Sequence, residues 1–136
     1  MAARFPLDDA TIPDDELLYV RIFPRPDNLQ PNEDGFGLRP ASGTLRRHDQ
    51  PLSVDRGSLC TPQQTRNRGP SPTYHVAAFT AGLAREYGCR IVKDAEEGNP
   101  AHALVYGDHD DDSLSKSQQK QIARRAKIVL MGEPGE

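Results

Sequence analysis

The clearest hydrophobic pattern in the chain is Glu-Leu-Leu-Tyr-Val-Arg-Ile-Phe at Glu16–Phe23. Successive side chains of a strand point to opposite faces. A strand here places Leu18, Val20 and Ile22 on an apolar face and Tyr19, Arg21 and Phe23 on the other. Pro24 ends it. Asp27 to Gly37 carries Pro, Asn and Gly throughout and reads as loop. Phe36–Pro40 and Pro51–Val54 read as short extended pieces around a basic tip, Arg46-Arg47-His48, with Pro51 limiting the second piece to a strand start or an edge. Thr61-Pro62-Gln63-Gln64 has the form of a helix start, with Thr as N-cap, Pro in the first turn and Gln three residues on. That helix runs to about Arg68, before Gly69-Pro70.

From Tyr74 onward the pattern is more regular. His75–Phe79 fits a short strand or the first turn of a helix. Thr80–Tyr87 has helical texture, with Gly88 where a C-terminal glycine cap belongs. Cys89–Val92 and Ala101–Tyr106 read as strands, the second placing His102, Leu104 and Tyr106 on one face. Ser113 or Ser115 caps a last helix through about Lys127, with Ile122, Ala123 and Ala126 on its inner side. Ile128–Met131 reads as a final strand. These elements predict an α+β fold: a small mixed or antiparallel sheet from Leu17–Phe23, Cys89–Val92 and Ala101–Tyr106, covered on one side by the helices at Thr80–Tyr87 and Ser115–Lys127.

Composition refines this. The 136 residues suit one domain, 1–136, with a real core. Ten of the twelve prolines lie in the first 72 residues. Residues 25–72 are therefore expected to be an irregular Pro- and Arg-rich segment wrapped around the sheet, with 1–11 and 132–136 as flexible ends. The formal net charge of −3 is ordinary and argues for neither general nucleic-acid affinity nor a membrane surface. No stretch is long and apolar enough to span a bilayer, and the N-terminus lacks the apolar run of a signal peptide. Two unclustered thiols, Cys60 and Cys89, fit a reducing compartment. The expectation is a cytoplasmic protein that does not engage a membrane.

Charge and chemistry concentrate in a few places. Arg39, Arg46, Arg47, Arg56, Arg66 and Arg68 form an arginine series without lysine, and arginine suits bidentate recognition of phosphate or carboxylate. Lys116, Lys120 and Arg124, four apart, make a basic stripe on the last helix. Arg39, Arg46, Arg47, Arg56, Lys116, Lys120 and Arg124 are thus the candidate binding residues. The acidic run Asp108 to Asp112 with His109 lacks the ligand order of a calcium loop, so it reads as a solvated loop before the last helix. No metal site and no cofactor are expected, since Walker A and dinucleotide fingerprints are both missing from the sequence. Candidate catalytic residues are Arg21, His102 and Ser53: His102 exchanges a proton near neutral pH, Arg39 binds phosphate beside them, and Ser53 positions substrate.

The order of several short motifs resembles a loose group of small bacterial proteins of no known activity. They are an acidic-Leu-Leu opening into the strand carrying Arg21, then Leu38-Arg39-Pro40, Leu52-Ser53-Val54 and Pro100-Ala101-His102-Ala103. The likeness covers most of Ile12 to Gly107, with Tyr19-Val20 before Arg21 and Leu38 as departures. It implies bacterial origin and no particular chemistry. Two functions are weighed. The first is an accessory protein that binds a protein partner, encoded nearby, or nucleic acid, through the arginine-rich segment and the basic helix. The alternative is a small enzyme or toxin, ribonuclease-like or ADP-ribosyltransferase-like, acting on a phosphate-bearing substrate. The second requires Arg21 and His102 to share one face of the sheet.

Overall fold

The computed structural model describes residues 8–45, 50–109 and 111–134. The chain is α+β, built on a six-stranded sheet. In chain order the strands are β1 (Leu17–Ile22), β2 (Leu29–Pro31), β3 (Leu38–Pro40), β4 (Leu52–Arg56), β5 (His75–Thr80), β6 (Arg90–Lys93), β7 (His102–Tyr106) and β8 (Lys127–Leu130). The helices are α1 (Pro62–Asn67), α2 (Ala81–Glu86) and α3 (Lys116–Arg125). The main sheet has the order β6-β7-β4-β1-β5-β8, and β2 and β3 form a separate hairpin. Among the described residues every pairing of these strands is antiparallel. Among the described residues no helix is long and apolar enough to cross a membrane.

The two faces of the sheet differ as the alternation of β1 predicts. Leu18, Val20 and Ile22 join Val54, Ala77, Phe79, Ala103 and Val105 in the main core, closed by Leu83 and Ala84 of α2 and Ile122 and Ala123 of α3. The opposite face is half covered. There α1 lies over β1, β5 and β8, above a small apolar cluster of Tyr19, Val76 and Ala78 with Cys60 and Leu130. The β4–β7 half of that face is left open.

Local signals account for the helices. Thr61 caps α1 through a capping box with Gln64, Thr80 caps α2, and Ser115 caps α3 through a box with Gln118. Each satisfies backbone N–H groups that the first turn leaves without partners. Gly88 follows α2 at φ 88, the left-handed region glycine enters without strain.

Three expectations need correction. The sheet also contains β4, β5 and β8. The segment 25–72 does not merely wrap the sheet, because β4 is an inner strand between β7 and β1. Pro51 stands just before β4 and so withholds no donor from its ladder, which is the strand-start case. The loop expected from Asp27 to Gly37 contains β2, paired with β3 from Leu29↔Pro40 to Pro31↔Leu38. Near the N-terminus, Asp8 and Asp9 are tied in: the Asp9 N–H donates to Ile91 O at 2.8 Å, and Arg85 donates to the Asp8 carboxylate.

Candidate functional site

The open half of the second face is a polar cleft. Register brings its floor together: Tyr19 of β1 lies opposite Asp55 of β4, and Asp55 lies opposite His102 of β7. Those three side chains stand in a row across adjacent strands. Arg21 and Ser53 lie two residues along the same face of β1 and β4. The walls come from Thr65 and Arg68 at α1 and from Glu96, Glu97 and Asn99 in the β6–β7 turn. The open cleft offers about 520 Å³, room for a small polar molecule of nucleotide size.

Arg21 and His102 therefore share one face and one cleft, together with Ser53. Arg21 Nη1 donates to the carbonyl of Thr65 at 3.2 Å, fastening β1 to α1. Gly69 has a packing reason here: a Cβ on it would collide with the Arg21 side chain and the Arg66 carbonyl. Asp55 is 2% exposed. Its Oδ2 pairs with Arg68 Nη1 at 3.4 Å, and its Oδ1 accepts from Asn99 Nδ2 at 2.9 Å. A buried carboxylate so held fixes both neighbours at the cleft wall. Burial pushes the Tyr19 phenol up, so it stays a neutral hydroxyl.

The β6–β7 turn sets the surroundings of His102. Glu96 and Asn99 bridge each other through backbone bonds of 3.0 and 2.9 Å, with Gly98 at φ 80. The hairpin folds Asp94 and Glu96 back onto the imidazole. His102 Nδ1 lies 3.0 Å from Asp94 Oδ2, 3.1 Å from Asp94 O and 3.4 Å from Glu96 Oε1.

The candidate binding residues are scattered. Arg56 is bound to Glu16 by two hydrogen bonds of 2.9 Å and lies on the core side. Arg39, expected as the phosphate binder beside Arg21 and His102, does not line the cleft: it bonds its own hairpin, at Pro31 O and Gln30 Oε1. Lys116, Lys120 and Arg124 are exposed on α3, with Arg124 paired to Glu33. Arg46 and Arg47 lie outside the described residues, as does Asp110 of the acidic loop. In that loop Asp111 serves the turn itself: hydrogen bonds from the Ser113 hydroxyl and N–H, and from His109, hold its carboxyl well below the usual range. Cys89 is buried, and burial pushes its thiol up to about 12, which removes it as a nucleophile.

Sequence reading missed Asp55, Arg68, Asn99, Asp94 and Glu96 as site residues. Ser53 and Asp55 alternate with Leu52 and Val54, which marks a polar strand face, but only the β4–β7 pairing places that face beside His102. Against protein-family models, curated proteins and solved structures, the chain finds no match.

Proposed function

We propose that the protein is a small cytoplasmic enzyme acting on a phosphate-bearing molecule of nucleotide class in the β1–β4–β7 cleft. The observation that carries this reading is convergence. Arg21, Ser53 and His102, from three strands, line one polar cleft with Arg68. A guanidinium pair, a hydroxyl and an imidazole around a nucleotide-sized space are groups that phosphate chemistry can use. In this reading Arg21 and Arg68 present donor forks to phosphate oxygens. Ser53 orients the substrate, and His102 exchanges the proton that the reaction moves. Asp55 is a positioning residue, holding Arg68 and Asn99. The unpaired thiols Cys60 and Cys89 support a reducing compartment.

The accessory-protein reading loses support from the arginine series. Of its described members, Arg39 and Arg56 are engaged within the chain, away from the cleft. The exposed Lys116–Lys120 stripe still supports contact with an acidic partner.

The test is turnover. The purified protein is incubated with nucleoside mono-, di- and triphosphates, dinucleotides and short RNA, in Mg²⁺ and Mn²⁺, and products are followed by ³¹P NMR and chromatography. One substrate class is expected to turn over, with Arg21→Ala and His102→Ala each lowering kcat/KM by about 10²-fold or more, while Lys116→Ala has no effect. No turnover across the panel, or turnover indifferent to Arg21 and His102, sinks the reading.

A further inference from the structure

The rim of the cleft carries a feature that proton transfer alone does not use. One atom each of Asp94, Glu96 and His102 lies within 4.8 Å of the other two. His102 Nδ1 is 3.0 Å from Asp94 Oδ2 and 3.4 Å from Glu96 Oε1. Donor atoms ~2.1 Å from a common ion, at octahedral to tetrahedral angles, stand roughly 3.0–3.4 Å apart. The imidazole spacing to both carboxylates thus already equals that of ligands on one ion. Asp94 O, 3.1 Å from the same nitrogen, is a further oxygen within reach.

Charge gives an independent reason. The cleft and its rim hold Arg21 and Arg68 against the carboxylates of Asp55, Glu96, Glu97 and Asp94. Among the described residues two cations face four carboxylates, and Arg68 is already paired with Asp55. A dianionic phosphate entering this space meets excess negative charge, which a divalent cation at the rim offsets.

We propose that Asp94, Glu96 and His102 Nδ1 bind one divalent cation of the Mn²⁺ or Zn²⁺ type, which bridges the protein to the phosphate of the ligand. A mixed nitrogen and carboxylate donor set favours such ions over Mg²⁺ or Ca²⁺, which take oxygen donors. Binding displaces the Nδ1 proton that His102 otherwise donates to Asp94, and leaves Nε2 as an N–H donor. With the cation bound, His102 acts as a ligand and hydrogen-bond donor, and this replaces the proton exchange assigned to it above, which belongs to the metal-free cleft. Three protein ligands leave coordination positions for water or a phosphate oxygen. The bridging role rests on the phosphate-enzyme reading; the cation site itself does not.

The experiment is a titration of the metal-free full chain with Mn²⁺ alone, read by the electron paramagnetic resonance signal of the free ion, followed by Zn²⁺ competition. One Mn²⁺ per chain is expected, displaced by Zn²⁺ and not by equimolar Mg²⁺. Asp94→Asn and Glu96→Gln are each expected to weaken binding about tenfold or more. Both side chains are exposed on a turn, so an unchanged Tm in each variant separates ligand loss from unfolding. No binding by the wild type, or binding unchanged in both variants, overturns the site while leaving turnover and its dependence on Arg21 to be judged separately. Mn²⁺ binding without turnover of any nucleotide supports the site and removes the enzyme reading.

Discussion

Glu16 and Asp55 are both buried carboxylates beside an arginine, and they differ in what surrounds the pair. Glu16 faces Arg56 through two bonds and also accepts from Ser58 at 2.8 Å, at the margin of the main core. Burial pushes its carboxyl up, but the Arg56 and Ser58 hydrogen bonds and the Arg56 charge outweigh that and hold it below its usual value. A carboxylate with a lowered folded-state pKa stabilises the fold above its unfolded pKa, and that stability is lost as pH falls through the folded value. Glu16→Gln is therefore expected to cost about 3 kcal/mol at pH 7 by urea denaturation, since it leaves the Arg56 charge uncompensated. The gap to the wild type should narrow steadily below the ordinary glutamate pKa of about 4.5. A pH-independent gap would mean that the ion pair is not what the residue supplies. Asp55 holds Arg68 and Asn99 at the cleft instead, so its removal is expected to be felt in ligand binding.

Among the elements, the helices were legible and part of the sheet was not, for a physical reason. A helix carries its start signal within four residues. Thr61 with Gln64 is read directly and recurs as a capping box, and of the two serines that could cap the last helix it is Ser115 that does so, boxed with Gln118. Ser115→Ala is expected to cost about 1 kcal/mol, measured by denaturant midpoint; no change in midpoint would show that tertiary packing of Ile122 and Ala123 alone holds α3. The face alternation of β1 was legible for the same local reason. β4 and β2 were harder, because a strand in a proline-rich stretch is defined by partners far away in sequence: Leu52 pairs with Val105, Asp55 with His102. Nothing within β4 says whether it sits inside the sheet or at its edge. The site shares this fate. Arg21, Ser53 and His102 could be named singly as candidate residue types, whereas Asp55, Arg68 and Asn99 acquire meaning only once β4 lies between β1 and β7.

At the scale of the molecule, the order β6-β7-β4-β1-β5-β8 divides the labour between two faces. One face is covered by α2 and α3 and supplies the core. The other is covered by α1 on the β5–β8 side and left open on the β4–β7 side. The arrangement produces a cleft whose floor is rigid sheet, which suits a site needing fixed polar groups. The arginine-rich segment also looks different at this scale, since Arg56 and Arg68 act within the fold. The central claim is that the cleft is where a phosphate-bearing ligand binds, and an ¹H–¹⁵N NMR titration with a nucleoside phosphate tests it most directly. Chemical-shift changes are expected to cluster at Tyr19, Arg21, Ser53, Asp55, Thr65, Asn99 and His102, and to disappear in Arg21→Ala. Changes confined to the Lys116–Lys120–Arg124 stripe, or none at ligand concentrations that saturate ordinary nucleotide sites, would contradict it.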